Sequence, residues 1–325
     1  MWKCKINPTF EQNSFLKIFL QPEICVEYNE TLKTNEIEIL NGNSTIKYQW
    51  KDIFSYFETY AIENWIKNYD YYYLQNALKD WERGNYDTLV VGSSYACFGY
   101  DDKIESEHTK NLALPSQDLY YALKIIEECK RRTQYSIKNI IIGLGYYSFY
   151  SDLSKTENED ELSRISNVYK PIFGDEHNAI ILPPQIETKQ SVIWNIPSIL
   201  SYFSNQIYNT IFGEYFSVLH ERKKWKTIMW DDKTKEWNEL LAVEREEAGK
   251  KRAELHNKKI RYYESYIENT QLLSQLASCC EKNFVKLYIC IFPVTKEYWN
   301  YIDKQMIDNF YNALSDIKGK IQVLD

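Results

Sequence analysis

The chain has 325 residues, long enough for one large domain or two modest ones, and its 44% hydrophobic content can fill a core. With 39 Lys and Arg against 46 Asp and Glu, its formal charge is −7, which argues against a protein that coats nucleic acid, because phosphate binding needs clustered positive charge. No apolar run approaches the roughly 20 residues that cross a bilayer. No secretory leader is read at the N-terminus. Seven cysteines without a CxxC spacing fit reduced structural thiols in a cytoplasm better than a disulfide framework or a zinc site. The 28 Tyr, 14 Phe and 9 Trp are read first as core and interface filling, and second as platforms for stacking on sugars.

Residues 1–50 alternate apolar and polar positions, and "LNGNS" punctuates two such runs, so a small β-rich N-terminal subdomain is expected there, ahead of the main domain at 51–325. Residues 51–82 carry apolar side chains at helical spacing and close at Gly84. The pattern then changes. "DTLVV" is a continuous apolar run of the kind buried on both faces of a sheet. "KNLAL" (110–114), a helix over "SQDLYYALKIIEECKRR" and "IKNIIIGLG" (137–145) follow. After a long insertion at about 146–257 come a helix at about 258–282, the strand "VKLYICIFP" (285–293), a helix at about 296–316 and the strand "IQVLD" (321–325). Strands alternating with helices build right-handed βαβ units. The expected fold is therefore α/β: a flavodoxin-like three-layer α/β/α domain with a parallel five-stranded sheet in the order 2-1-3-4-5, a β-rich N-terminal subdomain and a helical insertion. The charged stretch "EWNELLAVEREEAGKKRAELHNKK" within the insertion is read as a solvated helix face held by i,i+4 pairs such as Glu247 with Lys251, ahead of a partner-binding role.

In open α/β sheets ligands bind beyond the carboxyl ends of the strands. Four turns should converge there: Gly92-Ser93-Ser94, Pro115-Ser116-Gln117, Gly145-Tyr146-Tyr147 and Pro293-Val294-Thr295. A serine in the first turn can present its hydroxyl to the crevice at a helix N-terminus, where free N–H groups stabilise an oxyanion; it can equally serve only as a cap. No GxGxxG and no GxxxxGK[ST] occurs, so no nucleotide cradle and no cofactor is expected. The acidic clusters Asp101-Asp102 and 157–161 lack a metal-loop spacing, so no metal is expected either.

Taken together, "VVGSSYACFGYD", "NLALPSQDLYYAL", "IIIGLGYYSFY" and the Glu268-Asn269 pair ahead of "LYICIFPVTKEY" resemble the SGNH/GDSL-type hydrolase superfamily, in particular divergent bacterial members associated with surface polysaccharides. The resemblance covers about 86–145 and 265–325. It implies a serine nucleophile at Ser94 and ester hydrolysis or acyl transfer, often of acetyl groups on sugars. The family's second block supplies an oxyanion-hole glycine N–H, and Ser116 stands at that position. The third block offers Gly-x-Asn-Asp; "GLGYYS" has no asparagine, so Tyr147 or a backbone N–H such as that of Gly145 has to substitute. Gln117 and Thr295 complete the oxyanion and substrate candidates. The family's Asp-x-x-His, expected after the last strand, is not among residues 1–325.

A serine hydroxyl needs a base at hydrogen-bond distance. His108 precedes the second strand, at the wrong end of the sheet; His177, His220 and His256 lie in the insertion and are the base candidates. Three possibilities stay open: an Asp-His segment of the parent gene is absent here, an insertion histidine substitutes, or the fold is kept as a non-catalytic module. The first expectation is a cytoplasmic serine esterase or O-acyltransferase acting on a carbohydrate or other acyl-ester small molecule, with neither a nucleic acid nor a membrane as partner. The alternatives are a catalytically silent domain that binds a glycan or partner protein, and a flavodoxin-type fold with an unrelated ligand.

Overall fold

The computed structural model describes residues 2–8, 24–41, 44–49, 68–100, 108–133, 137–185 and 237–325. The 51–67 part of the predicted N-terminal helical stretch, the Asp101-Asp102 pair and the 186–236 part of the insertion, with His220, lie outside the described residues. The chain divides into two compact units, one of residues 1–69 and 186–231, the other of 70–185 and 232–325.

In the first unit the alternating N-terminal runs form β1 (Trp2–Ile6), β2 (Ile24–Tyr28), β3 (Glu36–Asn41) and β4 (Ser44–Gln49). They make a four-stranded sheet in the order β2-β1-β3-β4. β3 and β4 pair antiparallel, with Asn41 opposite Ser44 at the "NGN" signal. β1 pairs antiparallel with β3 and parallel with β2. Cys4, Ile6, Ile37 and Ile39 are buried at every second position, the period of a strand with one covered face.

The second unit holds β5 (Thr88–Gly92), β6 (Thr109–Asn111), β7 (Asn139–Leu144), β8 (Lys286–Ile291) and β9 (Gln322–Leu324). All four pairings are parallel, in the order β6-β5-β7-β8-β9, which is the 2-1-3-4-5 order expected. Leu89 and Val91 join the large core with Ile140, Ile142, Leu287 and Ile289. Val90 faces the other way, into a smaller cluster with Ala96, Cys97 and Ala113. Burial on both faces is why these strands read as continuous apolar runs.

The helices of this unit are α1 (Tyr69–Arg83), α2 (Ser94–Gly99), α3 (Leu119–Arg132), α4 (Glu159–Arg164), α5 (Lys170–Phe173), α6 (Ala242–Asn257), α7 (Tyr263–Lys282), α8 (Lys296–Trp299) and α9 (Lys304–Ser315). Asp118 caps α3 by accepting from Tyr121 N–H (2.9 Å), and Lys130, Arg131 and Arg132 in its last turn oppose the helix dipole. Trp81 Nε1 of α1 donates to Cys129 O of α3 (3.1 Å). One expectation needs correcting. The helix read over 296–316 is two helices, because Asp303 caps α9 by accepting from Gln305 N–H (2.8 Å), while its own N–H donates to Asn257 Oδ1 (2.9 Å). The charged helix α6 keeps an exposed face, and its Gly249, Ala253 and His256 form a buried stripe. A Cβ at Gly249 would lie 2.6 Å from Glu297 Cβ and 2.8 Å from Tyr298 N, so the glycine lets α6 sit directly on α8.

β5 ends under tight constraint. Gly92 has φ +128°, and a Cβ there would lie 2.3 Å from the carbonyl oxygen of Gly143 on β7. Gly92→Ala is expected to cost roughly 2–5 kcal/mol, adding backbone strain to overpacking. Gly319→Ala, with nothing within 4 Å of its Cβ, should stay within about 0.5 kcal/mol of wild type. Urea unfolding midpoints at constant slope check the pair; equal midpoints would refute the constraint at Gly92.

Candidate functional site

Beyond the carboxyl ends of β5, β6 and β7 lies a cleft of about 510 Å³. Ser94, Ser116, Gln117, Tyr147 and His256 all line it. The insertion supplies much of the remaining lining, including Glu161 and Arg252. Gly145, Thr295 and His177 are not among its lining residues.

The Gly92-Ser93-Ser94 turn is held from one side by Gln117. Its Oε1 accepts from Gly92 N–H (2.7 Å), and its Nε2 donates to Leu112 O (3.3 Å). Gln117 is therefore a clamp between the ends of β5 and β6 as much as a cleft residue. Ser93 takes the cap position of α2 in an extended conformation, but its side chain makes no capping hydrogen bond. Ser93 Oγ is fully buried and has no hydrogen-bond partner among the described residues; the Tyr147 hydroxyl is its neighbour. Ser94 follows as the first residue of α2 and is half-buried. A buried hydroxyl left unpaired beside a half-exposed one is unusual, because burying such a group unmet costs about 1–3 kcal/mol.

Ser116 has φ +53°, the left-handed region that glycine enters without strain. Its N–H makes no hydrogen bond among the described residues. Tyr147 lies over His256, with ring centroids 3.8 Å apart and planes 29° from parallel. Burial pushes the Tyr147 phenol well above its ordinary pKa, so it stays a neutral donor. Gly145 is spent on the loop: its N–H donates to Ser148 Oγ (2.9 Å). Thr295 is exposed, and its Oγ1 caps α8 by accepting from Tyr298 N–H (3.3 Å). Both positions are structural in this arrangement.

The two described insertion histidines sit in opposite electrostatic settings. His256 is buried, and its Nδ1 lies 2.8 Å from the Tyr298 hydroxyl. Burial, then the positive charges of Arg252 and Lys259, hold its pKa down to about 3, so the imidazole is neutral at every physiological pH. His177 is stacked on Tyr120 with centroids 3.7 Å apart. Its Nε2 lies 2.9 Å from Glu268 and its Nδ1 3.4 Å from Asp152. Burial opposes its charge, but the hydrogen bonds to Asp152 and Glu268 outweigh it and raise the pKa to about 9. Asp152 is correspondingly held below the usual carboxylate range: burial opposes its ionisation, and the His177 hydrogen bond prevails. An imidazolium already protonated at neutral pH cannot accept a proton from a serine, and His177 does not line the cleft. The one ligand atom each from Asp152, His177 and Glu268 lie within 4.8 Å of one another, close enough to hold a metal ion. Here the imidazolium itself supplies the positive charge between the carboxylates, and a cation would have to displace its proton. His108 lies at the other end of the sheet, with Nδ1 2.9 Å from Asn85 O, ahead of β6.

Sequence reasoning missed Arg252 and the buried hydroxyl of Ser93. Arg252 stands four residues before His256 on α6, a spacing that puts both on one helix face and could have flagged it. Ser93 carried no signal, since its burial depends on the turn. Glu268 and Asn269, part of the family likeness, brace the loop after β7: Glu268 through His177, and Asn269 by donating to Phe149 O (2.9 Å) and Ser151 O (3.0 Å).

Comparison with protein-family models, with curated proteins and with solved structures returns no match. Among the described residues no helix is long and apolar enough to cross a membrane.

The His177 pair predicts a pH effect. A pKa raised from about 6.5 to about 9 stabilises the fold fully below pH 6.5, and that contribution is lost as pH rises through 9. The stability gap between wild type and His177→Gln should therefore be largest near pH 6 and shrink towards pH 10, with the ring titrating near 9 by NMR. A gap that widens with pH, or a midpoint near 6.5, would refute the assignment.

Proposed function

We propose that this protein is an SGNH-like serine esterase or O-acyltransferase, with acetyl as the favoured acyl group and a carbohydrate or glycoconjugate as substrate. The observation that carries the reading is the convergence of Ser94, Ser116, Tyr147 and a neutral His256 on one cleft beyond the carboxyl ends of parallel strands. The left-handed backbone of Ser116 supports its match to the family's oxyanion glycine, since that conformation is the one glycine takes freely.

In this reading Ser94 Oγ attacks the acyl carbonyl carbon and passes its proton to a base. The oxyanion that forms accepts hydrogen bonds from the N–H groups of Ser94 and Ser116. Collapse breaks the ester C–O bond, and the sugar leaves as an alcohol after taking up the proton. Water or an acceptor hydroxyl then takes the acyl group from Ser94. Tyr147, kept neutral by burial, stands where the family has an asparagine donor. His256 serves as base in the tautomer whose Nδ1–H donates to Tyr298 Oη, leaving the Nε2 lone pair free. Its low basicity makes it a feeble base, and turnover by these 325 residues should be slow. The proposal puts the reaction in a reducing cytoplasm, requires no cofactor and involves no nucleic acid.

A second reading, a silent domain that binds a glycan or a partner protein, draws on a specific observation: no hydrogen bond joins Ser94 to a base among the described residues. Hydrolysis of an aryl acetate separates the two. Ser94→Ala should lower kcat by about 10⁴-fold or to background, and His256→Gln by about 10²-fold or more. Because His256 is neutral above about pH 4, kcat/KM should be flat from pH 5 to 8 rather than rising through 6.5. Hydrolysis unchanged in Ser94→Ala removes the nucleophile, and no hydrolysis at all favours the binding reading.

A further inference from the structure

Part of the cleft lining is cationic, although the chain carries a net charge of −7. Arg252, Lys258, Lys259 and Arg261 line it against two carboxylates, Glu157 and Glu161. The carboxylates are already engaged: Arg261 meets Glu157 at 2.8 Å and Lys259 meets Glu161 at 3.4 Å. Neither Arg252 nor Lys258 has a salt-bridge partner among the described residues, which leaves two cations of this wall uncompensated.

Arg252 stands close to the reactive end. Its charge is felt at Tyr95, Tyr147 and His256, all of them lining residues. An arginine near a serine turn presents a planar fork of donors suited to a carboxylate or a phosphate. The rest of the lining is polar and aromatic. Ser93 Oγ is an unpartnered buried hydroxyl, Tyr95 adds an aromatic ring, Tyr262 adds another that already carries Arg261, and Thr156 Oγ1 and Asn158 Oδ1 are bonded within the turn ahead of α4. Hydroxyl partners, ring faces and a localised positive charge together describe a sugar ring that carries an acid group.

We infer that the cleft selects an anionic saccharide, one bearing a carboxylate or a phosphate, with the acid group held by Arg252 and Lys258 and the ring lying towards Ser94. This inference names the substrate class of the esterase proposed above and rests on that reading for its catalytic meaning; the binding preference itself does not depend on turnover.

The test is calorimetric titration of the 325-residue chain, and of its Ser94→Ala variant, with glucuronate, glucose 6-phosphate and glucose. At least one of the two anions is expected to bind about ten-fold or more tighter than glucose, the size of one charge-assisted contact, and to weaken as salt is added. Which anion binds tighter distinguishes a carboxylate from a phosphate substrate. The double variant Arg252→Gln/Lys258→Gln changes two exposed side chains, so it should unfold at the wild-type urea midpoint while losing the preference. Equal binding of glucose and both anions, or a preference that survives in the double variant, overturns the inference. An anion preference that persists while aryl acetate hydrolysis proves independent of Ser94 removes the esterase and leaves the anion site. Ser94-dependent hydrolysis with no anion preference does the reverse.

Discussion

Everything in the cleft follows from how closely β5 and β7 approach at their carboxyl ends. Gly92 meets Gly143 backbone to backbone, and a side-chain carbon at either place would collide with its neighbours, the Gly143 carbonyl in one case and Ala96 in the other. The positive φ of Gly92 then swings the chain out of the sheet, so that Ser93 is pressed inward and Ser94 opens α2. Gln117 fixes the turn by accepting the Gly92 N–H, the donor a continuing strand would have offered to a neighbour. With that exit angle fixed, the loops after β6 and β7 have one space left to enclose.

The two insertion histidines show how far environment, rather than residue type, decides chemistry. His177 is surrounded by carboxylates and holds its proton; His256 is buried between cationic side chains and tyrosines and refuses one. The first is a strut between the loop after β7 and α7. The second is a neutral imidazole against the cleft, oriented by Tyr298 and covered by Tyr147. The same side chain thus does opposite work some 80 residues apart in sequence.

The parallel sheet was legible because burial on both faces leaves unbroken apolar runs such as 88–92 and 139–144, and because those runs alternate with helix-spaced segments. The antiparallel pairing of β3 with β4 was legible from the "NGN" signal. What escaped were features fixed by contacts distant in sequence. The break between α8 and α9 depends on Asp303 and on Asn257, 46 positions earlier. The buried stripe of α6 shows only once Gly249 is seen against Glu297, since the stripe is too short and too flanked by charge to stand out. At the site, strand-end logic located Ser94, Ser116, Gln117 and Tyr147, because topology alone brings those turns together. It could not say that Thr295 and Gly145 would spend their groups on capping and loop closure.

The glycine seat of α6 has a consequence for how this cleft could diverge. Arg252, Leu255 and His256 on α6, and Lys258, Lys259 and Arg261 just beyond it, all reach the cleft from one continuous stretch of chain. That stretch rests on α8 through the missing side chain at Gly249 and the His256–Tyr298 contact. Charge, size and proton-accepting group on that wall can be rewritten together by changing about ten neighbouring codons, while the serine turn and the sheet beneath it stay as they are. The wall behaves as a cassette, and relatives that keep the scaffold could swap ligand preference by exchanging it whole.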